Sequence, residues 1–198
     1  MKSEINNSLI IQKYFSRIGI TDVETKDIKP NLELLRKITY HHVSSIPFHN
    51  FSLFERKKVD LSNNENLEKF MTGEQLYERI VNQNEGGMCF ENSLLLYYIL
   101  TLLNYNVKII PSNVLLGKPI NPSDFDKLRD HNILLVTIND NNTEQPKTYI
   151  VDIAFGMNSL RYPLEIKTAH NEINEEIPLF PNETFKIEII DEFYQLNN

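Results

Sequence analysis

Cysteine is nearly missing from this chain of 198 residues: there is one, Cys89. A lone thiol cannot close an internal disulfide, so a reducing, cytoplasmic setting is expected. Positive charge is also scarce, with 20 Lys and Arg against 27 Asp and Glu. The resulting net charge of −7 argues against general affinity for nucleic acid or an anionic membrane surface. No apolar run is long enough to span a bilayer, and the N-terminus lacks the apolar core of a secretory signal. The six glycines form neither a Walker nor a dinucleotide-binding pattern. The histidines and the cysteine have no zinc-site spacing, so no metal is predicted. A hydrophobic content of 41% and a charged content of 24% suit a globular chain with material for a real core.

The informative stretch is EGGMCFENS, residues 85–93. Gly86 and Gly87 allow a tight turn with positive backbone angles and a close approach of ligand to main chain. The run LLLYYILTLL that follows has no Gly or Pro and is too long for one strand, so it predicts a buried helix. Cys89 then stands at a helix N-terminus, near unpaired N–H groups and the positive end of the dipole, where the nucleophilic thiolate is favoured. A buried structural cysteine fits the same position.

The pattern of the remaining chain predicts an α+β fold: a helical bundle over residues 1–104 carrying the cysteine, then an antiparallel sheet or barrel over 105–198. Leu9 to Ile18 has helical spacing with Gly19 as a C-cap, and a second helix follows Pro30 and ends near His41 and His42. In SIPFHNFSLF, residues 45–54, Phe48 and its neighbours read either as a core-packing loop or as one wall of an apolar pocket, which His49 could also line. Residues 55–71 form a polar connection with room for one short strand. Thr72 and Gln75 have the spacing of a capping box, opening a helix that ends around Asn84. After Asn104 the segments VKII, NILLVTI, TYIVDIA, YPLEI and FKIEII predict strands. The acids Glu172 to Glu176, with His170 beside them, read as a solvated loop.

Two of these strands test each other. If NILLVTI and TYIVDI form a hairpin centred on Asn141–Asn142, His131 stands directly opposite Asp152 on one face. Their Cβ atoms would then be about 4.5–5.5 Å apart. A slip of one residue would separate them onto opposite faces. Read separately, His131 is a surface residue at a strand start and Asp152 a turn former before Gly156. An acid within YIVDIAF is costly to bury without a partner, however. Together with Cys89 the pair supplies a nucleophile, a base and an orienter.

The order IPFHN, GGMCFEN, DHNILLV and YIVDIAFG, with YFSRIGI near the start, resembles the arylamine N-acetyltransferase family over nearly the whole chain. The resemblance implies a cysteine-protease-like core with a Cys–His–Asp triad. It makes Cys89 the nucleophile, His131 the base and Asp152 the orienter, with Phe48 and Phe155 lining the acceptor pocket. It also implies transfer of acetyl from acetyl-CoA, a co-substrate, to an arylamine, hydrazine or arylhydroxylamine through an acetyl-cysteine. Departures are Glu85 where the family usually has Arg, His49 for a common Glu, and Ser93 for a usual Asn. The chain stops near the end of the family's second domain; typical members continue into a third that covers the cleft, so a more open cleft is expected. A papain- or transglutaminase-like hydrolase and a non-catalytic binding relative are the competing readings.

Overall fold

The computed structural model describes residues 2–24, 28–51, 72–114, 130–139, 145–166, 177–180, 183–190 and 193–197. Helix α1 (Lys2–Ile18) buries Ile11, Tyr14, Phe15 and Ile18, one apolar stripe at helical spacing. Gly19, at φ +78°, takes the left-handed position after it, and the Ile20 N–H returns to Phe15 O at 2.8 Å. Helix α2 (Leu32–Ser45) is capped by Asn31, whose side chain accepts from the Leu34 N–H at 2.8 Å. It ends at Ser45, close to the expected end, with His42 in its last turn and buried in the core. Helix α3 (Gly73–Tyr77) opens on the expected capping box of Thr72 and Gln75, then widens into a π turn over Glu78–Asn82.

Helix α4 (Cys89–Leu102) starts on the cysteine. It is apolar round most of its circumference because it lies between layers, packed against α1 and α3 on one side and the sheet on the other. Leu95, Leu96, Ile99 and Leu100 are fully buried, each side chain contributing about 1.5–3 kcal/mol on leaving water. Leu134, Val136 and Val151 of the sheet join the same core. The start of α4 is thereby held in a fixed relation to the start of the second strand.

Strands β1 (Asn106–Ser112), β2 (His131–Ile138), β3 (Lys147–Val151) and β4 (Leu164–Glu165) form one antiparallel sheet in chain order. Strands β5 (Ile177–Phe180), β6 (Glu183–Ile190) and β7 (Phe193–Asn197) form a second. All five predicted strand segments are present, and β5 and β7 are additional. The possible strand in 55–71, the acids Glu172 to Glu176 and His170 lie outside the described residues.

The expected hairpin register is not the observed one. The ladder pairs Leu134 with Val151 and Ile138 with Lys147, two residues away from a hairpin centred on Asn141–Asn142. Because side chains alternate with a period of two, a shift of two preserves the face. Asp152, one residue past the end of β3, is a diagonal neighbour of His131 rather than a direct one. Diagonal positions are about 7–8 Å apart at the backbone, within reach of a long side chain. The polar loop between β2 and β3 left the register unspecified; the apolar face decided the parity.

Candidate active site

The turn before Cys89 is built against the Ile46–Pro47–Phe48 segment. The Gly87 N–H donates to Pro47 O and the His49 N–H to Gly87 O, each at 3.1 Å, a one-residue parallel bridge between Phe48 and Gly87. The Gly86 N–H donates to His49 Nε2 at 3.1 Å. A Cβ on Gly86 would lie 2.1 Å from Pro47 O. Gly86 is therefore required by the approach of the chain's own backbone, whereas a Cβ on Gly87 would crowd the Glu91 side chain, 2.9 Å from its Cβ. Neither has the positive φ expected of them, which among the described glycines belongs to Gly19 and Gly156.

Cys89 is half-buried, and its Sγ lies 3.7 Å from Asp130 O. The next residue along that segment is His131, the first of β2, so the strand start and the helix start meet at the thiol. Ser93 ties them together, its hydroxyl donating to Asn132 O at 3.2 Å. His131 Nε2 bonds Asp152 Oδ2 at 2.9 Å with both side chains buried. The other carboxylate oxygen of Asp152 accepts the Ala154 N–H at 3.3 Å, which fixes the carboxylate plane. Burial alone would lower the pKa of His131. The hydrogen bonds to Asp152 and to Cys89, with the charges of both, outweigh it and hold the imidazole at about 9. With Nε2 committed to Asp152, Nδ1 is the ring nitrogen left for the thiol. The arrangement can generate and reprotonate a sulfur nucleophile.

The two predicted pocket aromatics take different places. Phe48 is 50% exposed and lines a cavity of about 210 Å³ with Ile46, Pro47, Asn92, Ile153 and Gly156. Phe155 is not on that lining; its ring lies 5.3 Å from the His131 ring, tilted by 51°.

Residues that the sequence did not single out brace the turn. Arg17 donates to Ser45 O, Ile80 O and Glu85 O at 2.9–3.2 Å, satisfying carbonyls at the end of α2, in the π turn and beside the glycines. Arg79 bonds both Glu85 and Glu91, and Glu91 in turn accepts the Met88 N–H at 2.9 Å. Glu85, which stands where the family usually has Arg, is therefore paired. One signal was available for Glu91: an acid three residues after the helix N-cap, the second half of a capping box. Arg17 lies within the YFSRIGI motif, which gave it no role, and for Arg79 there was no signal.

A model of the N-acetyltransferase family matches residues 31–180. The arylamine N-acetyltransferase pineal gland isozyme NAT-3 of Gallus gallus is 34% identical over 159 residues, covering 79% of this chain and 47% of the relative. The liver isozyme of Gallus gallus is 32% identical over 146 residues, covering 74% of this chain and 43% of the relative. Among solved structures, the Mycobacterium marinum arylamine N-acetyltransferase in complex with CoA superposes with a TM-score of 0.67 at 23% identity. It covers 94% of this chain and 59% of that one. The chain spans about half the length of the curated relatives it matches. The α+β fold with its cysteine-protease-like core is the one these structures share. From the family match over most of its length, the chain belongs to the arylamine N-acetyltransferase family.

Proposed function

We propose that this chain transfers acetyl from acetyl-CoA to an arylamine, hydrazine or arylhydroxylamine through an acetyl-cysteine on Cys89. The observation that carries the reading is the buried 2.9 Å bond between His131 and Asp152 beside the thiol at the start of α4. The arylamine N-acetyltransferase relatives support the acceptor class, and the CoA-bound neighbour supports the donor. In this reading residues 1–104 carry the nucleophile and 105–198 the base and orienter.

Cys89 gives its proton to His131 and attacks the acetyl carbonyl carbon as thiolate. The tetrahedral intermediate collapses with loss of the CoA thiolate, which takes the proton from His131. Backbone N–H groups near Cys89 stabilise the developing oxyanion. The amine then attacks the acetyl-cysteine, His131 accepts its proton, and the Cys89–acyl bond breaks. Asp152 keeps the ring oriented and stabilises the imidazolium. Phe48 contributes an apolar wall for the aromatic acceptor, and Phe155 packs at a tilt against the base.

Initial rates measured across acetyl-CoA and aniline concentrations test this. Parallel reciprocal lines, with one N-acetylaniline formed per CoA released, are expected. CoA released at the same rate with no acetylated amine would make the protein a hydrolase and overturn the transferase reading.

A further inference from the structure

The Arg79 guanidinium occupies an unusual place. It projects from the π turn, donates from Nε and Nη2 to Glu85 Oε2 at 3.0 and 2.8 Å, and from Nη1 to Glu91 Oε1 at 2.9 Å. Glu85 immediately precedes the glycine pair, while Glu91 is the third residue of α4 and holds the Met88 N–H with its other oxygen. The clamp thus grips both ends of the five-residue path that delivers the sulfur. It is largely shielded from solvent: the Arg79 and Glu91 side chains are 20% and 4% exposed. Burial pulls the Arg79 pKa down, and the hydrogen bonds and charges of Glu91 and Glu85 more than reverse this, leaving it above the usual arginine value.

We infer that Arg79 is a positioning residue for the nucleophile, fixing the turn through Glu85 and Glu91 and offsetting one of the two negative charges those carboxylates would impose on the Cys89 thiolate. The inference rests on reading Cys89 as the nucleophile. The charged and titratable groups around the thiol fall in two sets. His131, Asp152 and Asp130 come from the sheet side, with the Asp130 carboxylate turned to the Val114 N–H. Glu91, Glu85, Arg79 and Arg17, which donates to Glu85 O, come from the helical side, and His49 accepts the Gly86 N–H of the turn. The Arg79, Glu85 and Glu91 side chains together carry one net negative charge, two without Arg79, and none when Glu85 is neutral. A thiolate is disfavoured by each added negative charge. Arg79 lies within the π turn Glu78–Asn82, and such turns recur at functional sites.

The pH dependence of Cys89 alkylation by iodoacetamide reads this directly, in wild type, Arg79→Met, Glu85→Gln and the double variant Arg79→Met/Glu91→Gln. In Arg79→Met the half-point is expected to move up by about one pH unit or more, a roughly tenfold slower alkylation below it. In Glu85→Gln it moves down, and in the double variant it returns toward wild type. A purely structural brace would shift both single variants the same way. Coincident profiles for wild type and Arg79→Met, or an upward shift in Glu85→Gln, overturn the inference. Should Arg79→Met fail to fold, Glu85→Gln decides alone: a downward shift supports the inference, and no shift or an upward one overturns it. Alkylation needs no acetyl donor, so this outcome is separate from whether acetyl-CoA is the substrate.

Discussion

His42 in α2 and His131 at the head of β2 are 1% and 5% exposed, yet their imidazoles are held in opposite states. Burial, with the nearby Arg17 charge adding to it, depresses His42 to about 3. Its Nδ1 meets only the hydroxyl of Tyr14, at 2.8 Å. His131 is held at about 9 because its partner is a carboxylate with its own backbone support. Burial favours the neutral form of any imidazole; an anion at hydrogen-bond distance reverses the sign. The helical core uses its histidine as packing, whereas the end of the sheet favours a charged one once the Cys89 proton has passed to it. Among the described residues, none is a hydrogen-bond partner of the buried His42 Nε2.

Removing the anion should break the contrast most severely. Asp152→Asn is expected to lower acetyl transfer on the order of 10³–10⁴-fold, with a much smaller effect on the unfolding midpoint. Unchanged initial rates would exclude Asp152 as orienter. Gly86→Ala breaks the frame around the thiol while leaving the direct partners of both imidazoles in place. Its Cβ would collide with Pro47 O, so a loss of about 1–3 kcal/mol is expected from urea unfolding.

The pH dependence of stability sharpens the comparison. The His42 pKa is depressed in the fold, so its contribution is complete above the unfolded value of 6.5 and is lost as pH falls toward about 3. The His131 pKa is raised, so its contribution is complete below 6.5 and is lost as pH rises through about 9. Urea unfolding from pH 4 to 10 should show the acid limb flattened in His42→Gln and the alkaline limb flattened in His131→Gln. Exchange of those two effects would refute the assigned charge states. The smallest effect is expected from Phe48→Ala. Half-exposed, Phe48 should change stability by no more than about 0.5 kcal/mol. The KM for an aromatic amine should rise while acetylation of Cys89 in the absence of amine is unaffected.

Much of this was legible where the signal is local. The Thr72 capping box, Gly19, the apolar run after Cys89 and the alternation in β2 each follow from neighbours in sequence, and each element is where it was expected. The face shared by His131 and Asp152 was legible too, because parity survives a shift of two residues even though the register did not. Contacts between distant segments were not legible. Nothing near His42 in sequence announces that Tyr14, 28 residues away, buries it, or that Arg17 reaches three separate carbonyls. The glycine pair was recognised as special for the wrong reason, since what crowds Gly86 is the Pro47 carbonyl and what crowds Gly87 is the Glu91 side chain.

The most direct measurement is the intact mass of the protein after mixing with acetyl-CoA and no amine, for wild type and Cys89→Ala. A single acetyl increment on wild type, absent from Cys89→Ala and discharged by aniline, is the predicted result. An unmodified wild-type protein, or an increment that persists without Cys89, would contradict acyl transfer through this thiol.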